Sequence, residues 1–266
     1  MTRSRFWRHN AAAWAGARAR GFTLTELAIT VTIVALLIGG IALTLTAQNE
    51  ARQFSETQAR LATAQEALVG FAIRNGRLPC PAAPAGALAA YRDGTAVSVA
   101  GTGEEAFAAA GSSANGNCWQ FHGLLPAMSL GISTTDAQGY LLDAWDTPIR
   151  YSVTSWNTNT FTKNAGIAGI GVTGLLPDLR VCSAAACGAG QVLTAAGTVP
   201  AVIFAVGKNR KLFGHDVDEA ENFDNDVTFV SHEPRPTGAG GGDFDDLVTW
   251  LSVNVLVNRM VAAGAL

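Results

Sequence analysis

Between Leu27 and Ala47 the chain runs for twenty-one positions without a charged residue. At ~1.5 Å rise per residue, a helix of that length covers the ~30 Å hydrocarbon layer of a bilayer, so the run predicts a single membrane-spanning helix. Its flanks set a direction. Arg3, Arg5, Arg8, Arg18 and Arg20 precede position 21 and no acid does; the positive-inside bias then keeps the N-terminus cytoplasmic and puts everything after Ala47 on the far side. One acid, Glu26, stands at the edge of the apolar run. A carboxylate at membrane depth costs about 2.5–3.5 kcal/mol on insertion scales, which marks it as a functional residue in need of a partner.

A removable secretory signal ends in a small-residue cleavage site after its apolar stretch, whereas here the basic leader ends in Gly21 before the stretch begins. A cut at Gly21 leaves the apolar helix on the mature chain and creates an α-ammonium on Phe22. The Glu26 carboxylate of one copy can neutralise the ammonium of its neighbour in a low-dielectric contact and so set an axial register. Pairing with the amine of its own chain, four positions away on the same helical face, is the alternative.

The residues Gly21-Phe22-Thr23-Leu24-Thr25-Glu26-Leu27 resemble the class III leader junction of type IV pilins and of the pseudopilins of type II secretion. The resemblance implies cleavage between Gly21 and Phe22 by a prepilin peptidase, N-methylation of Phe22, and Glu26 as the filament-assembly residue. It further implies a pilin-like α+β fold, in which a long N-terminal helix, anchor and then stem, packs on an antiparallel β-sheet head. The partners implied are other pilins or pseudopilins, in a homo- or hetero-polymer, and an inner-membrane assembly platform. The location implied is the bacterial inner membrane, crossed once, with the head in the periplasm or on an extracellular filament. One departure is plain: many pilins carry a proline midway along the apolar helix, and here no proline precedes Pro79. Gly39-Gly40 takes the middle, which suits either close helix packing or local melting.

Three regions follow: a leader at 1–21, an anchor and stem helix at 22–76, and a head at 77–266. In the stem, Phe54, Leu61, Leu68 and Phe71 line one helical face. Asn75-Gly76 supplies the stop, and Pro79 and Pro81 prevent resumption. In the head, Ile149–Thr154, Gly166–Val172, Ala201–Val206 and Val227–Ser231 read as strands bounded by turn residues, with antiparallel pairing expected. The Ala-, Gly- and Ser-rich stretch 82–117 reads as an irregular connection with a short helix around Glu104–Ala110. Phe244 to Ala263 reads as an amphipathic closing helix, with Asp245 and Asp246 at its N-terminus and Arg259 at its C-terminus. Leu142-Asp143-Ala144-Trp145-Asp146-Thr147-Pro148-Ile149-Arg150-Tyr151 looks like the D-x-W-G-x-P-x-x-Y segment of pseudopilin heads, with Asp146 in place of the glycine. A buried Trp and a turn Pro there read as fold determinants rather than a subunit contact.

Cys80, Cys118, Cys182 and Cys187, on a body placed outside the cytoplasm, favour disulfides. Four cysteines allow three pairings. A local Cys182–Cys187 clip is the simplest, and Cys80 with Cys118 then tethers the Gly/Ala-rich segment.

After the basic leader the chain holds thirteen bases against twenty-one acids, which argues against nucleic acid as a partner. The acids concentrate between Asp216 and Asp246, and clustered carboxylates can supply the six to eight oxygens that Ca²⁺ takes. Asp216, Asp218, Asp224 and Asp226 are the candidate ligands, and the resemblance adds that major pseudopilins hold calcium in the C-terminal part of the head. No other cofactor is expected. His122, His215 and His232 are isolated, and no nucleophile elbow, zinc-hydrolase motif or phosphate-binding loop occurs, so no enzyme is expected. The leading function is a filament subunit. The alternative is a monomeric, membrane-anchored binding domain that recognises a surface, DNA or an exoprotein.

Overall fold

Thr23 and Gly76 bracket a 52-residue helix, α1 (Leu24–Asn75), for local reasons at both ends. At the start, the Thr23 hydroxyl accepts the Glu26 N–H while the Glu26 carboxylate accepts the Thr23 N–H, the reciprocal arrangement of a capping box. At the end, Gly76 adopts φ +66° and donates to the Ala72 carbonyl, a left-handed stop that glycine takes without Cβ strain. The computed structural model describes residues 21–86, 91–92, 95–96, 102–109, 111–209, 216–235 and 242–266. The leader before Gly21, Ala110 and His215 lie outside them, as do the side chains of 39–46.

The chain divides within α1 into two compact units, Met1–Glu50 and Ala51–Leu266. In the first, every large apolar side chain from Phe22 to Ile38 is at least half exposed. Among the described residues no helix is long and apolar enough to cross a membrane; eight positions of the Leu27–Ala47 run have no described side chain.

The second unit continues with β1 (Tyr91–Arg92), β2 (Thr95–Ala96), β3 (His122–Leu124), α2 (Ala127–Leu130), β4 (Arg150–Val153), α3 (Trp156–Asn159), α4 (Gly166–Ile170), β5 (Arg180–Cys182), β6 (Ala201–Ala205), α5 (Val217–Glu221), β7 (Thr228–Val230), β8 (Leu247–Leu251) and α6 (Val253–Ala262). Four strands form an antiparallel sheet in the order β3-β4-β6-β8. Strand β6 is buried along its whole length, and its alternation divides the core in two. Ala201, Ile203 and Ala205 join Leu61, Leu68 and Phe71 of the stem with Leu256 and Met260 of α6. Val202 and Phe204 face the other way, against Val181 of β5 and Phe229 of β7. The second unit is therefore layered as helices, sheet and a further strand pair. The stem stripe Phe54, Leu61, Leu68 and Phe71 does pack on the head.

The segment around Trp145 docks that stem. The Asp143 carboxylate accepts the N–H groups of Trp145 and Thr147, each at 2.8 Å, and closes a tight turn in which Asp146 takes φ +61°. Trp145 lies edge-on to Phe54 with ring centres 5.1 Å apart. Arg60 donates to the Leu142 and Asp143 carbonyls at 2.7 and 2.8 Å. Asp146 thus adopts the left-handed conformation that a glycine would take there, and the motif serves the fold. Beside the helix end, Arg77 is almost fully buried and makes two 2.7 Å bonds to the Glu105 carboxylate.

Four expectations are corrected. Gly166–Val172 is not a strand: Gly166–Ile170 forms the short helix α4, entered through Ala165 in the left-handed conformation, and among the described residues no strand pairs with this segment. Residues 104–109 are not helical; Glu105 and Phe107 instead make isolated bridges to Ala82 and Cys118, and the Arg77 pair holds Glu105 in place. The closing segment is a strand and then a helix: Leu247–Leu251 completes the sheet before Ser252 turns the chain into α6. Pairing is not antiparallel throughout, since β5 and β7 run parallel.

Replacement Asp146→Gly relieves the left-handed turn and is expected to stabilise the protein by about 0.5–1 kcal/mol. Trp145→Ala opens the stem contact and is expected to cost about 3–5 kcal/mol. Urea unfolding of both variants checks the pair.

Candidate functional site

The start of α1 assembles from four residues. Gly21 and Phe22 precede the helix in extended, exposed chain, and the Phe22 ring is 84% exposed. Thr23 caps the helix, and its hydroxyl also donates to Glu26 Oε2 at 2.9 Å. Glu26 is thus held by two groups of Thr23, the second residue after Gly21. The T-x-x-E spacing of a capping box was legible in the sequence, although the apolar run drew the reading of Glu26 toward an amine alone.

A family model for the prokaryotic N-terminal methylation motif matches residues 16–42, which include Gly21, Phe22 and Glu26. The chain carries a class III prepilin leader motif, typical of type IV pilins and pseudopilins. The α+β architecture, with its long N-terminal helix and antiparallel sheet, agrees with the pilin-like fold. Comparison with curated proteins and with solved structures found no match to this chain.

The four cysteines form Cys80–Cys118 and Cys182–Cys187. The first joins the chain after the stem to the irregular connection, around Phe107. The second closes a loop from the end of β5, and the Ala185 N–H of that loop donates to Asp218 at 2.8 Å.

The acidic stretch is divided among different tasks. Asp218 is held by Arg235 at 2.5 Å and by His232 at 3.3 Å. Burial would raise its pKa, but the Ala185 N–H and the Arg235 guanidinium outweigh that and hold it below its ordinary value. Asp216 accepts the Asp243 N–H at 2.6 Å. Asp224 and Asp226 stand with Glu221 in an exposed group whose donors lie within 4.8 Å of one another. The four residues picked out from the sequence are therefore not one site.

The more buried cluster is Glu219, Asp245 and Asp246, also within 4.8 Å. Gly207 makes room for it: at φ +68° it lies so close to Asp245 that an added Cβ would fall 2.3 Å from that residue's carbonyl oxygen. Asn209 donates to both Glu219 oxygens and to Asp245, and Asn222 donates to Asp246 at 2.8 Å. Burial pushes the Asp245 carboxyl up to about 6, with Glu219 adding to the effect, and burial pushes Asp246 well above the usual carboxylate range. Asp245 Oδ1 is enclosed without a hydrogen-bond partner. Three close oxygen donors, one of them unused, fit a hard cation. The sequence reading missed this group because Asp245 and Asp246 were assigned to a helix start, whereas they lead into β8.

The direction of the Asp245 shift gives a pH signature. Its folded pKa lies above its unfolded value, so the native state holds the extra proton between the two; that stabilisation is present in mild acid and is lost as pH rises toward about 6. Asp245 is partly exposed, so screening reduces the effect to about 1–2 kcal/mol. Asp245→Asn is expected to raise the melting temperature at pH 7 and to flatten its decline between pH 4 and 7, measured by thermal melts in chelator.

Proposed function

We propose that this chain is a structural subunit of a type IV pilus-like or pseudopilus filament rather than an enzyme. The observation that carries the reading is the methylation motif over residues 16–42, set at the start of a long helix whose apolar side chains from Phe22 to Ile38 are exposed. An apolar surface of that extent needs cover from lipid or from other copies. On this reading a prepilin peptidase cuts between Gly21 and Phe22, Phe22 is N-methylated, and the apolar helix holds the subunit in the inner membrane until an assembly platform extracts it into the polymer. Membrane lipid and neighbouring helices then cover the same surface in turn.

The cut changes what Glu26 faces. Before it, the residue is satisfied by Thr23; afterwards an α-ammonium lies one residue beyond Thr23, on its own chain or on a neighbour. Glutamine also completes a capping box, so Glu26→Gln keeps the helix start while removing the charge. Glu26→Gln and Glu26→Val are both expected to leave processing and membrane insertion intact and to abolish filaments, scored by shearing and electron microscopy. Normal filaments from Glu26→Gln would remove charge pairing from the assembly step. Gly21→Arg is expected to leave the precursor uncut, which N-terminal sequencing reads directly.

The Glu219, Asp245 and Asp246 group supports a calcium site in the head as a second element of the proposal. Its oxygens would hold the ion and bind the chain after Gly207 to the entry of β8. Saturating calcium is expected to raise the melting temperature of the wild type over chelator, since a ligand of the native state alone stabilises by RT ln(1 + [L]/Kd). Asp245→Asn should remove most of that rise; equal midpoints for the wild type would end the assignment.

A further inference from the structure

The bridge Cys182–Cys187 stands beside α5, the helix that carries Glu219, and is linked to two anchors of that helix. Asn222, at the end of α5, is the first: its side-chain amide donates to the Val230 carbonyl at 3.2 Å and to Asp246 at 2.8 Å, and its side-chain oxygen accepts the Val230 N–H at 2.8 Å. Val230 is the residue that pairs with Cys182 across β5 and β7. Asp218 is the second: its Oδ1 accepts the Ala185 N–H from inside the loop that the bridge closes, while its Oδ2 faces Arg235 and His232. The loop therefore holds the helix one residue before Glu219.

Side-chain packing does little to fix that loop. Ser183-Ala184-Ala185-Ala186 and Gly188-Ala189-Gly190 bring no large apolar side chain to the core, and Ala186 and residues 188–190 are exposed. Cys187 is half-buried and stands at φ +42°, in the left-handed region that is costly for a residue with a Cβ. Opening the bridge removes the constraint that keeps it there. The other bridge is unlike it: Cys80 and Cys118 are both buried in a cluster with Phe107, and they lie 38 residues apart in the chain against 5. A longer closed loop takes more entropy from the unfolded chain, and a buried bridge is shielded from attack, so Cys80–Cys118 is the harder of the two to reduce.

We propose, on the calcium reading of the Glu219, Asp245 and Asp246 cluster, that Cys182–Cys187 is a redox-operated catch on that site: a dithiol reductant that opens the bridge frees the loop, releases Asp218 Oδ1, and lets α5 draw Glu219 away from Asp245 and Asp246, which lowers the affinity for calcium. A thiolate of the reductant attacks Cys187 Sγ, since Cys182 is fully buried. The S–S bond breaks, and its electron pair leaves on Cys182 Sγ, which takes up a proton from water. The reductant's second thiolate then attacks the mixed disulfide, expels Cys187 as its thiol and closes the reductant's own disulfide. Two electrons and, through water, two protons pass from the dithiol to the cysteines, and exchange with a disulfide runs the same steps backward.

The test uses the full chain in detergent micelles, titrated with dithiothreitol in chelator and then alkylated, with mass spectrometry reading which bridge has opened. Cys182 and Cys187 are expected to open at reductant concentrations about tenfold or more below those that open Cys80 and Cys118; the reverse order would overturn the catch. The calcium Kd, taken from the rise of the melting temperature with calcium concentration, is expected to weaken about tenfold once Cys182–Cys187 is reduced, and likewise in the double variant Cys182→Ser, Cys187→Ser. Asp218→Ala should weaken calcium binding to a similar degree in the oxidised chain, and reduction should add little to it, because both act through one contact. Equal calcium affinity in oxidised and reduced chains, or losses that add in full, overturns the proposal. Hydrogen exchange in chelator reads the catch without calcium: the Ala185 and Ala220 amides, which donate to Asp218 and to the Asp216 carbonyl, are expected to exchange about tenfold faster after reduction. A wild type that shows no calcium-dependent rise ends the calcium reading, and the catch then rests on exchange alone, where unchanged rates overturn it.

Discussion

Burial of β6 on both faces is the constraint from which the rest of the head follows. A strand reading Ala-Val-Ile-Phe-Ala cannot stand at the edge of a sheet or expose one side to water without leaving several large side chains uncovered. Something must pack on each face. The stem stripe of α1 and the inner side of α6 cover Ala201, Ile203 and Ala205, and the β5–β7 pair covers Val202 and Phe204. The stem covers this strand only if it is held at the correct height, and the Asp143–Thr147 turn does that by clasping Arg60 and Phe54.

Much of this was legible in the chain, and for identifiable reasons. The spacing of Phe54, Leu61, Leu68 and Phe71 is a helical period, and Asn75-Gly76 is a stop whose φ of +66° only glycine takes easily. Strands β4, β6 and β7 announced themselves as β-branched and aromatic runs between turn residues. Two short apolar runs did not. Gly166–Val172 reads as a strand only if a neighbour exists to pair with it. Leu247–Leu251 reads equally well as helix until the sheet supplies the edge of β6, because a five-residue apolar run does not settle the period. The error at β8 then carried over to the acidic group. Placed at the head of a helix, Asp245 and Asp246 looked like dipole partners; placed at the entry to a strand, they meet Glu219 of α5. No spacing in the sequence encodes that meeting, since it depends on Gly207 letting two segments touch.

Arg77 and Glu105 show the same limit from another direction. A basic residue just after a helix stop and a glutamate in an Ala- and Gly-rich connection carry no signal of each other, yet both are buried or nearly so and bonded twice. Breaking such a pair leaves an uncompensated charge in a low-dielectric setting, at a cost of about 3–5 kcal/mol. The pair and the Cys80–Cys118 bridge thus fix the connection at neighbouring points, one electrostatically and one covalently. This explains how a stretch with few large apolar residues keeps a defined path.

On the proposed reading the N-terminal residues follow a different logic, being arranged for a state that the uncut chain does not reach. Glu26 is satisfied in the precursor by Thr23, whose N–H and hydroxyl it accepts. A capping box is a weak hold, worth about 1 kcal/mol as caps go. A charge-assisted contact to an ammonium in a medium of low dielectric is stronger by a clear margin. The local interaction therefore keeps the helix start ordered and the carboxylate presented, while remaining easy to exchange once an amine is within reach. On the proposed reading the capping box and the assembly contact are successive partners of one carboxylate, and cleavage at Gly21 would be the step that changes which of them prevails.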